Sequence, residues 1–443
     1  MTTRLTPGAL STDLYELTMA AGYHAAGNES LASFELFVRE LPDNRAFLVA
    51  AGLEQALDYL EAWRFSRADI NYLRRLPALS GVSRGFFETY LPDLRFTGDV
   101  WAVPEGVPVF AGEPLLRVTA PVVQAQLVET TLLSTVLFQT AVASTAARVV
   151  EAAAGRPVVE FGGRRAHGPE AAVHAARAAY VAGCEGTSNV EAGSRFGIPV
   201  SGTMAHSWVM AHEDELSAFR RYMEVHGPQS VLLIDTYDAV AAARLIVGAG
   251  LRPAAVRVDS GDLADLSVAV RRVLDAGSLE DTNILVSGDL DAHAVARLVA
   301  SGAPVHGFGV GTAITTSPDA PSLSGVYKLV AIERNGRMTP VGKRSPGKRT
   351  VPGEKQVWRV GAADTAERDV IGLADESSPP DGHALLSHVV RRGQRVSLPR
   401  TVHDLREEGR LARTALPSVV RRLSGAERFP VTLSTALCAL ADA

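Results

Sequence analysis

The sequence predicts an α/β chain whose middle third forms a parallel sheet or (β/α) barrel, preceded by a separate domain that mixes helix and strand. Two observations carry this. After Gly155, short apolar runs alternate with helical segments, the βα rhythm of a parallel sheet. Each run also ends in a polar or glycine-rich tip, and six such tips in succession converge on the carboxyl face of a barrel, where active sites are built.

Taken in order, Ser11 and Thr12 offer N-caps to a helix running to about Ala25, with Asp13 and Glu16 in its first turn. Phe34 to Arg39 alternates like a strand. Leu94 to Ala120 is punctuated by Gly98, Pro104, Gly106, Pro108, Gly112 and Pro114, which suits a small antiparallel meander. From Gln124 to Ala154 runs a long Ala-, Leu- and Thr-rich helical stretch that stops at Gly155. Six strands follow, at Pro157–Phe161, Pro199–Thr203, Val231–Asp235, Ala254–Asp259, Ile284–Ser287 and Val305–Gly309. Asn335-Gly336 marks a later hairpin, and the tail is expected to pack on the first domain. The division reads 1–120, 121–330 and 331–443.

The chain has 443 residues, 47% hydrophobic and 21% charged, enough for a large core and more than one domain. A net charge of -5 with dispersed basic residues gives no electrostatic footprint for nucleic acid, and the basic run Lys343 to Arg349 reads as a solvated loop. No cationic start followed by an apolar run and no uninterrupted apolar stretch of about 18 residues is present, so no membrane partner is expected and the cytoplasm is the expected location. The two cysteines, Cys184 and Cys438, form no CxxC pair and read as buried thiols.

Gly307-Phe308-Gly309-Val310-Gly311-Thr312 places three glycines at alternate positions, so that backbone amides can approach an anion such as a sugar phosphate; a plain turn is the bland alternative. Five carboxylates, Asp235, Asp238, Asp259, Asp262 and Asp289, stand at strand ends. Asp238 and Asp262 foremost read as helix caps. The others can hold ribose hydroxyls, hold magnesium on a diphosphate through water, or oppose positive charge growing on a sugar carbon. Arg164 and Arg165 follow one strand end and Arg257 sits just inside another, where a guanidinium suits either a ligand carboxylate or phosphate, or a structural pair with an aspartate. His206 lies in a strand-end loop with no second histidine at metal-ligand spacing, which favours a base or nucleophile over zinc binding.

These segments together resemble the nicotinate phosphoribosyltransferase family, in order along the chain. The matching stretches are Asp13-Leu14-Tyr15-Glu16-Leu17-Thr18-Met19, Glu160-Phe161-Gly162-Gly163-Arg164-Arg165, Gly202-Thr203-Met204-Ala205-His206-Ser207, Arg257-Val258-Asp259-Ser260-Gly261-Asp262-Leu263 and Gly307 to Thr312. The resemblance runs from about Thr12 to about Lys328 and weakens towards Val357. It implies an irregular barrel beside an α/β sandwich domain, assembled as a head-to-tail homodimer with shared sites. It further implies transfer of phosphoribosyl from phosphoribosyl pyrophosphate to nicotinate, with Mg2+ on the diphosphate and ATP as co-substrate. By the same resemblance Tyr15 of a neighbouring subunit and Phe161 flank the pyridine ring, and Arg257 and Thr203 bind nicotinate. Gly288, Asp289, Gly309, Gly311 and Thr312 hold the ribose phosphate end, and His206 is phosphorylated by ATP. Asp235 and Asp259 are the candidate catalytic carboxylates, with Arg164 and Arg165 beside the substrate.

Three rivals remain. A nicotinamide-using relative carries an aspartate where Gly186-Thr187-Ser188 offers only a hydroxyl, which makes Ser188 a candidate selector. A quinolinate phosphoribosyltransferase needs a richer cationic pocket for its dicarboxylate. A barrel that only senses phosphoribosyl pyrophosphate has no need of His206 beside so many acidic tips.

Overall fold

The computed structural model describes residues 8–345, 349–362, 364–396, 398 and 400–442. The middle of the basic run, residues 346–348, lies outside them. The chain divides into two compact units: Met1–Ala141 with Ser322–Thr401 and Glu408–Ala443, and Val142–Pro321 with Val402–Glu407. The first cut falls inside the helix Glu129–Ala152, downstream of residue 120.

In the first unit, a seven-stranded sheet runs in the order Arg337–Pro340, Gly325–Arg334, Leu31–Val38, Pro114–Pro121, Asp99–Ala102, Ser387–Arg391, Gln394–Arg395. The strand Leu31–Val38 is central, bonded to Gly325–Arg334 on one side and Pro114–Pro121 on the other. Both its faces are covered, so Glu35 is buried along with Leu36, and the Lys355 ammonium meets its carboxylate at 2.8 Å. Asn335 and Gly336 both have positive φ, 51° and 74°, as a two-residue hairpin loop requires. A second sheet orders Gly382–Ala384, Lys355–Ala362, Thr365–Leu373 and Val431–Leu433.

The N-terminal helix is Leu14–Ala25, and its cap differs from the expected one. Asp13 occupies the N-cap position without a side-chain cap bond, whereas the Thr12 hydroxyl donates to Glu16. Glu16 is fully buried and accepts a second bond from Thr130 at 2.5 Å. The helical stretch after it breaks into Val122–Leu127 and Glu129–Ala152. The latter is apolar and long enough to cross a membrane by length and composition, yet 61% of its apolar window is buried inside the protein. Of the cysteines, Cys184 is buried and Cys438 is exposed, so only the first matches expectation.

The second unit is a parallel half-barrel. Its strands are β1 (Val158–Glu160), β2 (Gly186–Thr187), β3 (Val231–Leu233), β4 (Ala255–Val258), β5 (Asn283–Val286) and β6 (Gly307–Val310), in the order β2-β1-β6-β5-β4-β3. Five of the six expected strands are present. The segment from Pro199 to Thr203 is not one, since it meets the sheet only through a single bridge between Thr187 and Val200. Pro199 has no amide hydrogen to donate, and Gly186–Thr187 takes the sheet position beside β1.

Candidate active site

The candidate residues of the second unit gather along the carboxyl edge of the half-barrel; most follow or end a strand whose apolar residues lock it into the sheet, whereas Thr203 and His206 follow the irregular segment after Pro199. Arg257 is the hub. It sits inside β4, and its side chain points across the edge rather than into solvent. Nε donates to Ser287 Oγ at 2.8 Å, Nη1 to Thr203 Oγ1 at 2.7 Å, and Nη2 to Asp259 Oδ1 at 2.8 Å. Its guanidinium carbon lies 5.8 Å from the centre of the Phe161 ring, within cation–π range. Thus the pairing with an aspartate, the structural alternative for Arg257, is present.

Asp259 takes bonds from both Ser287 and Arg257. Burial opposes its ionisation, but those two hydrogen bonds and the charges of Arg257 and His206 outweigh burial and hold the carboxyl below its ordinary value. His206 Nε2 lies 3.9 Å from Asp259 Oδ2, and its other ring nitrogen is 3.2 Å from Thr236 Oγ1. Asp235 Oδ2 accepts the backbone N–H of Asp259 at 2.9 Å and the Ser260 hydroxyl at 2.6 Å, tying β3's loop to β4's.

The glycine tips are explained partly by packing. Gly288 has φ +98°, and a Cβ there would come within 1.9 Å of the Asp259 carbonyl oxygen. Gly309 leaves room for Phe161, whose ring would lie 2.6 Å from an added Cβ. Space at Gly309 is therefore already filled by protein, and the glycine sets where that ring lies. Asp289 (φ 45°) and Thr312 are exposed at the tips, and Gly311 precedes the short helix Thr312–Thr316.

Asp238 and Asp262 do cap helices: each accepts backbone N–H bonds in the first turn of Ala239–Gly248 and Leu263–Ala276 respectively. Arg164 and Arg165 are exposed in the turn after β1. Ser188 is exposed, and the cap of the helix Val190–Phe196 belongs to Asn189, which accepts from Ala192 at 2.9 Å. Tyr15 belongs to the first unit, where it is 47% exposed and where partial burial and Glu129 push its hydroxyl's ionisation up.

Glu160 has a positioning role that the sequence did not reveal. It is fully buried at the end of β1; it accepts from Thr187 at 2.6 Å, from Thr315 at 2.9 Å and from the Gly162 amide. One carboxylate thereby joins the tips of β1 and β2 to the helix after β6, and sets the turn that carries Phe161. Burial raises its pKa, and its three donors oppose the rise. In the sequence it shows as an acidic residue at the end of an apolar run and as the first residue of the Glu160-Phe161-Gly162-Gly163-Arg164-Arg165 stretch, neither of which reveals its partners. Among the described residues no group of three His, Cys, Asp or Glu could hold a metal ion.

Fold and side chains together define an α/β half-barrel protein with a guanidinium, carboxylates, an imidazole and an aromatic ring gathered on one sheet edge as a candidate site. The chain belongs to the nicotinate phosphoribosyltransferase family: residues 10–137 match the N-terminal domain model of that family and residues 157–357 the family's main model. It is 43% identical to the nicotinate phosphoribosyltransferase pncB2 of Mycobacterium tuberculosis over 96% of this chain and 92% of that protein. It is 44% identical to a nicotinate phosphoribosyltransferase of Bacillus subtilis over 83% of this chain and 76% of that one. The crystal structure of human nicotinic acid phosphoribosyltransferase superposes with a TM-score of 0.83 at 30% identity, covering 97% of this chain and 99% of that one.

Proposed function

We propose that the protein is a nicotinate phosphoribosyltransferase, which converts nicotinate and phosphoribosyl pyrophosphate to nicotinate mononucleotide and pyrophosphate in NAD biosynthesis and salvage. The observation that carries this reading is the Arg257 hub: one guanidinium fixed by Thr203, Ser287 and Asp259 beneath Phe161, with His206 next to Asp259. An aromatic face and a nearby cation fit a pyridine ring bearing a carboxylate.

The reaction is a substitution at the ribose C1. The C1–O bond to the diphosphate breaks with its electron pair leaving on pyrophosphate, and the lone pair of the pyridine nitrogen forms the new C1–N bond. Positive charge grows on the sugar as the bond breaks, and Asp235 and Asp259 oppose it. Asp259 suits this role because its neighbours keep it ionised. Magnesium belongs to the substrate, travelling on the diphosphate oxygens. Gly288, Asp289, Gly311 and Thr312 receive the ribose phosphate end, Gly309 serves by placing the Phe161 ring, and Arg164 and Arg165 supply cationic reach from the rim.

In the same reading ATP acts as co-substrate. Its γ-phosphoryl passes to His206, releasing ADP, and water later removes it as phosphate; the two forms of the enzyme then differ in affinity for substrates and products. In this reading one unit is an irregular barrel and the other an α/β sandwich domain, and a homodimer brings the partner subunit's Tyr15 to the second face of the pyridine ring.

Pyrophosphate release with nicotinate, nicotinamide and quinolinate, each with and without ATP, tests the proposal. Nicotinate is expected to be the preferred base and ATP to stimulate turnover, with acid-labile, base-stable labelling by ATP that His206→Ala removes. Preference for either other base, or no release at all, refutes the assignment; labelling that survives His206→Ala moves the phosphate elsewhere.

A further inference from the structure

Glu215 opens the helix Glu215–His226, nine residues after His206, and no motif includes it. Its neighbour Asp214 does the capping, accepting the Ser217 amide at 2.7 Å, so Glu215 is not needed there. The side chain nevertheless turns inward. Glu215 is 9% exposed, and its Oε1 is buried without a hydrogen-bond partner. A second carboxylate oxygen, Asp235 Oδ1, is also buried and unpartnered, although Asp235 Oδ2 is fully engaged by the next strand-end loop.

Two orphaned carboxylate oxygens in one neighbourhood are costly as a pair of anions. Against Glu215–His226 pack the short helix His206–Met210, the helix Ala239–Gly248 and the turn Gly227–Gln229. Their titratable or charged groups are His206 and Arg244, with Asp238 as the cap of the second; on its own helix Glu215 is followed by Arg220, Arg221, Tyr222, Glu224 and His226. The charges that act on Glu215 are those of Asp238 and Asp235, both negative.

We propose that Glu215 gains and loses a proton in the working protein and sets, together with Asp235, the negative charge that a polyphosphate substrate meets at this edge. It is a positioning residue, and the inference rests on the substrate reading above. Burial first, then Asp238 and Asp235, push its carboxyl up to about 7, whereas its neighbours hold Asp259 low. Environments that separate two carboxylates in this way assign one the proton and the other the charge. Once the proton leaves, a further negative charge adds to those of Asp235 and Asp238, and binding of the diphosphate weakens as pH rises through neutrality.

The test is calorimetric binding of magnesium phosphoribosyl pyrophosphate to the full chain from about pH 6 to pH 8.5, which needs no turnover. Native Kd is expected to rise several-fold more than that of Glu215→Gln, whose amide matches the protonated acid; titration of the ligand's own phosphate is common to both. A second variant, Asp238→Asn, keeps an N-cap and removes one of the two repelling charges, so the rise should move to lower pH. Equal pH profiles in native protein and Glu215→Gln, or an unmoved rise in Asp238→Asn, overturn the inference. Binding with this pH signature but no pyrophosphate release with nicotinate would refute the proposed function and leave this inference standing.

Discussion

Two arginines of this chain each grip an aspartate, and the contrast between them separates a lock from a working site. Arg359 holds Asp369 with two bonds, at 3.0 and 2.7 Å, and donates to the Pro108 carbonyl at 2.9 Å. Its plane sits near the stacked rings of Phe110 and Phe429, and Asp369 is wholly buried. Beside it Glu113 is also fully buried; burial and Asp369 raise its pKa well above the carboxylate range. Arg257 has the same partner chemistry but a different surround: Asp259 is 24% exposed, and its second oxygen faces an imidazole. The first cluster is closed against water, and the second is open on the side of the strand tips. Closure converts an ion pair into stability that is lost when one partner goes; openness leaves it able to meet a ligand.

Breaking the closed pair should have the largest effect. Asp369→Asn leaves a guanidinium buried without its counter-charge, and such losses cost about 3 to 5 kcal/mol. Chemical denaturation should show the drop, with residual activity per folded molecule unchanged. A loss below about 1 kcal/mol would mean that water reaches Arg359. The open pair should respond the other way. Arg257→Ala is expected to lower kcat/KM by about a hundred- to a thousandfold, the range seen when one preorganised donor is removed from an active site, while moving the unfolding midpoint less than Asp369→Asn does. If it unfolds the protein as readily, Arg257 is a second lock and the contrast fails.

How much of this was legible depended on how local the cause was. Strand-end tips announce themselves because the apolar run and its polar end are adjacent in sequence, which is why Arg257 and Asp259 could be singled out; His206 was placed by a strand that does not form, yet it meets Asp259 all the same. Caps at Asp238 and Asp262 and the Asn335-Gly336 hairpin were readable for the same reason. The two-residue strand Gly186–Thr187 has no apolar run to betray it, and Pro199–Thr203 imitates one. Nothing near Leu31–Val38 reveals that its neighbour strand lies about 300 residues downstream, so its double burial was hidden. Glu160 and Glu215 look like ordinary acidic residues; only tertiary packing takes them out of water.

The smallest effect concerns the rim, where Ser188 stands in the position at which nicotinamide-using relatives are expected to carry aspartate. One bland account can now be set aside. Asn189, not Ser188, caps the following helix, so Ser188→Asp should not act through helix stability. The neighbouring Thr187 hydroxyl is spent on Glu160, which leaves Ser188 as the hydroxyl of this segment that faces outward. Two carboxylates about 4 Å apart repel by about 4 kcal/mol at an effective dielectric of 20 but by only about 1 kcal/mol in bulk water. Ser188 is exposed, so the lower figure applies, and about 1 kcal/mol corresponds to roughly a fivefold change. A neutral amide escapes the repulsion and gains an acceptor for its N–H. Ser188→Asp should therefore shift the ratio of kcat/KM for nicotinate over nicotinamide by roughly fivefold towards nicotinamide, with stability unchanged. Raising the salt concentration should shrink the shift, because the charges are screened at an exposed site. An unchanged ratio would show that this rim residue does not select the base, and that discrimination rests with the Arg257 hub alone.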